Sequence, residues 1–213
     1  MKTRVLAAAL PVLLFASAAQ AQVAVSIWTN QPAAAGNATI AQAAGLGSPT
    51  AMTTVSAINF DSANVNGYTI GGFLNNPAGL ASAVATANLN NTYFLLTGST
   101  FLNAGTNSFV VPHDDGLELF ITGIGTVLSQ PGPTSPVNTP FNVIAPSAGM
   151  YNFTLAYGEC CGPPARLEFA INGQPVGSVP EPATWAMMLL GFGGIGMAMR
   201  GRRRRQVMLQ QIA

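Results

Sequence analysis

At 213 residues the chain has room for one domain of ordinary size plus sorting segments. Only 7% of its residues are charged, and seven of the eight basic ones lie outside the stretch from Val23 to Val179: Lys2 and Arg4 before it, Arg200 and Arg202 to Arg205 after it. Within that stretch Arg166 stands alone against Asp61, Asp114, Asp115, Glu118, Glu159 and Glu168, which excludes a nucleic-acid partner and suits a cation such as calcium.

The N-terminus carries Lys2 and Arg4, then an apolar run from Val5 to Ala16, then Ala19-Gln20-Ala21, a small-x-small pattern. This predicts a signal peptide over residues 1–21, cut by signal peptidase so that the mature chain starts at Gln22. An uncleaved anchor is the alternative, and the short apolar core argues against it.

The exported region, residues 22–177, is rich in Gly, Ala, Asn, Thr and Ser, with short apolar stretches between turn residues. A first strand is predicted over Val23–Trp28, and the segment 33–48, lacking a clear period, is predicted to be loop. Asn76 and Pro77 have the types of a helix cap and first turn, which predicts a short helix running to Val84. Tyr93–Leu96 is a further strand, and the strand containing Val110 and Val111 is expected to end at Pro112, which cannot donate to a ladder.

Leu117, Leu119 and Ile121 share one strand face, whereas the proline-containing segment 126–140 is expected to be a long surface loop. Tyr151–Tyr157 alternates strictly between large apolar and small or polar side chains. Arg166–Ile171 does the same and runs into Asn172-Gly173, a strong hairpin signal. Alternation of this kind predicts an all-β fold, an antiparallel β-sandwich of jelly-roll-like form with one wet and one buried face per sheet.

The stretch Pro112-His113-Asp114-Asp115-Gly116 is the main candidate for chemistry. Two adjacent carboxylates repel unless a cation or hydrogen-bond donors compensate them, so Asp114 and Asp115 are candidate ligands for calcium. The same three letters, Asp-Asp-Gly, also make a plain turn leading into a strand. His113 is readable as a proton-transfer group, a metal ligand or a polar turn residue. Cys160 and Cys161 are the only cysteines, and export favours oxidation. A bond between neighbours, two free thiols and an intermolecular bond all remain open. No serine nucleophile elbow, phosphate loop or zinc pattern is present.

Asp-Asp-Gly before Leu117–Ile121, then Ala148-Gly149-Met150-Tyr151-x-Phe153, Tyr157-Gly158-Glu159 and Ala165-Arg166-Leu167-x-Phe169 together resemble the second half of the anthrax protective-antigen-type β-sandwich domain, over residues 92–173. In lectin members of that family, paired aspartates, often joined by a cis peptide, bind a calcium ion that coordinates sugar hydroxyls. The resemblance implies that Asp114 and Asp115 are calcium ligands, with Glu159 a weaker candidate beside them.

At the other end, Ala183 to Met199 is uncharged and about long enough to span a hydrocarbon core of roughly 30 Å as a helix. Arg200 and Arg202, Arg203, Arg204 and Arg205 follow, which places the C-terminus in the cytoplasm, with a short tail over 206–213. Pro180-Glu181-Pro182 stands directly before the span. Pro-Glu-Pro, an apolar span and an arginine cluster over 178–205 resemble the PEP-CTERM sorting signal of Gram-negative bacteria. Its implied processing enzyme is exosortase, acting on an inner-membrane intermediate before release to the surface. Together these features predict a non-enzymatic β-sandwich, associated with extracellular polysaccharide. A ligand-free structural matrix component and a hydrolase using paired carboxylates from Asp114, Asp115 and Glu159 are the alternatives.

Overall fold

The computed structural model describes residues 22–61, 68–177 and 190–193. The signal peptide with Ala19 and Ala21, the motif Pro180-Glu181-Pro182, the arginines 202–205 and nearly all of the span 183–199 lie outside those residues. Among the described residues no helix is long and apolar enough to cross a membrane. The stretch Gln20–Val179 forms a compact unit of its own.

Two antiparallel sheets build this unit. The first orders its strands β2 (Ala51–Val55), β1 (Val23–Trp28), β4 (Thr92–Leu102), β9 (Gly149–Glu159), β6 (Leu117–Ile121) and β7 (Gly125–Gln130). The second is centred on β5 (Gly105–Asp114), which pairs with β8 (Val137–Ala145) along one edge. Along its other edge run β10 (Arg166–Glu168) and β11 (Ala170–Ile171), flanked by β3 (Asn59–Asp61) and β12 (Gln174–Pro175).

Alternating side chains from both sheets meet between them. Ile27, Leu96, Leu119 and Leu155 from the first sheet join Phe109, Val111 and Leu167 from the second, all at most 1% exposed. Burying each such side chain contributes about 1.5–3 kcal/mol, so this layer is the main source of stability. Outside the first sheet, a short helix α1 (Pro32–Ala35) and a 3-10 helix (Ile40–Gly45) cover Trp28 and Tyr93. The Trp28 indole donates to the Gly47 carbonyl at 3.0 Å and the Tyr93 hydroxyl to the Thr39 carbonyl at 2.9 Å. The segment 33–48 expected to be loop is thus partly helical, held by two aromatic side chains whose partners lie far away in sequence.

Three further expectations need correction. The helix expected from Asn76 starts later, as α3 (Ser82–Ala85), after a separate turn α2 (Ile70–Phe73) capped by Thr69. Asn75 and Asn76 take φ of 60° and 51° and end α2; left-handed backbone cannot begin a helix.

The segment 126–140 is not one long loop. It contains most of β7 and the start of β8, joined across the sheets by residues 131–136. β7 folds back on β6 in a tight hairpin, whereas β8 is held by pairing with the distant β5. Pro140 is tolerated because β8 pairs on one side only. Lastly, Pro112 does not stop β5, which continues to Asp114. It lies between the pairings His113↔Leu167 and Val110↔Ala170, where the neighbouring strand is broken at Phe169. The missing N–H therefore falls where the ladder is interrupted.

Candidate functional site

Three connections cross from the first sheet to the second, or back, at one end of the sandwich. They are Asp115–Gly116 between β5 and β6, residues 131–136 between β7 and β8, and Cys160–Ala165 between β9 and β10. Gly116 lets two of them touch, because a Cβ there would sit 2.1 Å from the Pro131 carbonyl oxygen. Residues 113–115 and 159–161, distant in sequence, meet at this end.

Asp114 and Asp115 are joined by a cis peptide bond and are 5% and 4% exposed. The Asp115 carboxylate is anchored at both oxygens: Oδ1 accepts from the Thr134 N–H at 3.1 Å and Oδ2 from the Cys160 N–H at 2.9 Å. The Asp114 carboxyl hydrogen-bonds to the Asp115 carboxyl, a contact that favours the protonated form of Asp114. Arg166 pairs with Asp114 in register, yet its guanidinium bonds Glu168 at 2.7 Å. Burial and the adjacent Asp115 raise the Asp114 pKa to about 7. This is the electrostatic condition that a bound cation would relieve.

Beneath the pair lies a fully buried carboxyl. The Glu159 Oε1 accepts from the Tyr68 hydroxyl, and Oε2 lies 2.8 Å from the Tyr157 hydroxyl, which also bonds the Asp114 carbonyl oxygen. A phenol has one hydrogen and a carbonyl can only accept. Tyr157 therefore donates to Asp114, and the proton between Tyr157 and Glu159 belongs to Glu159. Burial, the largest cause, raises the Glu159 pKa to about 8, in keeping with a neutral acid at pH 7. Burial likewise holds both tyrosines well above their usual range. Glu159 sits under the aspartate pair with both oxygens engaged by tyrosines.

His113 is buried and braces the pair from the second sheet. Its Nδ1 donates to the Asp115 carbonyl at 2.7 Å, while Nε2 lies 2.9 Å from Gln130 Oε1 and 3.1 Å from Thr139 Oγ1. Cys160 and Cys161 are disulfide-bonded to each other.

Sequence reasoning brought together Asp114, Asp115, Glu159 and the cysteines, and the structure places all five at this end. It missed Tyr157, Tyr68 and Thr134 as parts of the site. Tyr157 was findable, since residues 157 and 159 share one strand face; Tyr68, 91 residues from Glu159, carried no local signal.

The two antiparallel sheets have the β-sandwich fold of PA14 domains. The chain is similar in structure to a "PA14 sugar-binding domain from RTX adhesin" (20% identity, 76% of this chain and 93% of that one, TM-score 0.51). It is also similar to the PA14 domain of the MpAFP antifreeze protein (20% identity, 76% and 88%, TM-score 0.54). A third similar structure is the Epithelial Adhesin 6 A domain from Candida glabrata, solved with Galb1-3GlcNAc (11% identity, 79% and 84%, TM-score 0.50).

Residues 178–204 match the PEP-CTERM protein-sorting motif, so the chain is an exported protein sorted through exosortase. No curated protein matches the chain.

Proposed function

We propose that the protein is a non-catalytic carbohydrate-binding β-sandwich of the cell surface or extracellular matrix, taking extracellular polysaccharide through a calcium ion held by Asp114 and Asp115. The observation that carries this is the Asp114 carboxyl: nearly buried, raised in pKa, and set against the carboxyl of its neighbour Asp115. The donor set fits a hard cation, which takes carboxylate oxygens. Asp115 keeps lone pairs beyond its two N–H bonds, and Asp114 beyond its bond to Asp115. When bound, the ion would neutralise the pair and offer coordination positions to sugar hydroxyls. The residues around it do the positioning: Thr134 and Cys160 orient Asp115, Tyr157 orients Asp114 through its carbonyl, and His113 holds the Asp115 backbone.

Export is the context of this function. Signal peptidase acts at Ala21–Gln22, and exosortase acts at the Pro180-Glu181-Pro182 tail from the inner membrane of a Gram-negative cell. Two of the similar folds are described as a sugar-binding domain and as an adhesin solved with a disaccharide, which supports the same ligand class here. A carboxylate hydrolase is disfavoured because Glu159 is fully buried and both its oxygens are engaged.

The test is calcium titration of the purified protein. At a hundredfold excess over Kd, calcium stabilises by about 2.7 kcal/mol, a rise in Tm of roughly 5–10 °C. Asp114→Asn with Asp115→Asn abolishes that rise, and glycan-array binding with it. A wild-type Tm indifferent to calcium sinks the metal assignment. Calcium binding without glycan retention leaves a structural matrix component instead.

A further inference from the structure

The bonded pair Cys160–Cys161 stands at the rim of the carboxylates. A carboxylate oxygen of Asp115 and both sulfurs all lie within 4.8 Å of one another. Cys160 is 5% exposed and fixed by its N–H to Asp115, whereas Cys161 is exposed. Cys161 and Gly162 take φ of 52° and 102°, and Pro163 and Pro164 follow, so the chain turns sharply after the disulfide. A disulfide has no hydrogen to donate and is polarisable, so it behaves as a small apolar surface.

Sugar sites combine polar groups that hold hydroxyls with an apolar surface for the C–H face of the ring. The exposed aromatic side chains of the described sandwich do not supply that surface. Phe101 stands opposite Met150 and Phe120 opposite Thr154, down the sheet from Glu159. The disulfide stands beside the carboxylates, its sulfurs within 4.8 Å of an Asp115 oxygen, so one ring could meet both.

We propose that the Cys160–Cys161 disulfide is the apolar wall of the saccharide site, packing against the C–H face of a pyranose whose hydroxyls the cation holds. This rests on the carbohydrate reading above and adds the ligand class: a pyranoside with an unbroken face of axial C–H, as in a β-glucoside. A ring with an axial hydroxyl on that face would press a polar group against sulfur without a partner.

The test compares wild-type protein, Cys160→Ser with Cys161→Ser, and wild-type protein reduced with a phosphine. Calorimetry measures calcium alone, then methyl β-glucopyranoside and methyl α-mannopyranoside in saturating calcium. With calcium saturating in each protein, the expected result is glucoside affinity about tenfold weaker without the disulfide, by loss of close contacts. The wild-type preference for glucoside over mannoside should shrink in parallel. Reduction provides the result independently if the double variant does not fold. Unchanged glucoside affinity overturns the proposal alone. A parallel loss of calcium binding also overturns it, since the disulfide would then act by holding Asp115. A wild-type protein that binds calcium but no pyranoside overturns the carbohydrate reading itself.

Discussion

Strand β5 carries a buried polar cluster at each end, and the two are opposites. Near its start, Asn107 is fully buried and uses its whole hydrogen-bonding capacity: Nδ2 donates to the carbonyls of Asn103 at 2.8 Å and Gly105 at 3.1 Å. Its Oδ1 accepts from the Asn103 N–H at 3.0 Å and Asn172 Nδ2 at 2.9 Å. Seven residues on, about 23 Å along an extended strand, Asp114 is almost as buried, yet its carboxyl is set against a second carboxyl, that of Asp115. Both clusters tie loops together. The neutral one closes on itself; the charged one holds two carboxyls side by side, where the proposed cation would bind. A buried polar group is evidence of function only when its own fold leaves it unsatisfied.

The largest effect that would sharpen this contrast is that of pH on the metal-free protein. The folded pKa values of Asp114 and Glu159, about 7 and 8, lie above their ordinary values of 3.8 and 4.5. Folding therefore takes up protons that the unfolded chain releases. The stability these groups contribute is complete below the ordinary values and is lost as pH rises through 7 and 8. In chelator, Tm should decline from mild acid to pH 9, and calcium should flatten that decline. A metal-free Tm that instead climbs with pH would break the account of the charged end.

Next in size is Asn107→Ala, which orphans several backbone and side-chain groups at once and should cost about 3 kcal/mol in chemical denaturation. The cost should be the same with and without calcium; a calcium-dependent cost would mean that the two ends are not separate. Tyr157→Phe leaves the Asp114 carbonyl and the Glu159 proton without a partner, and should cost about 1–2 kcal/mol. It should also weaken calcium binding by calorimetry, because the aspartate pair loses its support. Glu159→Gln is the smallest. An amide can donate to Tyr157 and accept from Tyr68 as the neutral acid does, so unfolding at pH 6 should shift by under about 1 kcal/mol. Above pH 8 the variant should become more stable than wild type. A large loss at pH 6 would show that Glu159 works as a carboxylate.

Much of the fold was legible in the residues. Strict alternation in β1, β9 and Leu117–Ile121 reports a strand half in the core, and Asn172-Gly173 takes φ of 51° and 78°, the turn its composition suggests. What was less legible is the order in the Pro-rich and Ala-rich segments. β8 has a weak pattern because long-range pairing with β5 stabilises it, and α1, a single Pro-Ala-Ala-Ala turn of good local propensity, closes over Trp28 and Tyr93. Asn76 offered a cap that the chain used instead to end α2.

The site divides in the same way. Residues alone determined what is local: the adjacency of Asp114 and Asp115, the paired cysteines, the acidic balance of the exported region, and a sorting tail whose proline, apolar and arginine parts act in sequence order. Only the tertiary structure decided that Thr134, Cys160, Tyr157 and His113 surround the aspartates, that Tyr68 and Tyr157 hold a protonated Glu159, and that the disulfide stands at the rim. These depend on three connections crossing between sheets at one end, and that meeting is set by strand order and core packing, which no segment encodes by itself.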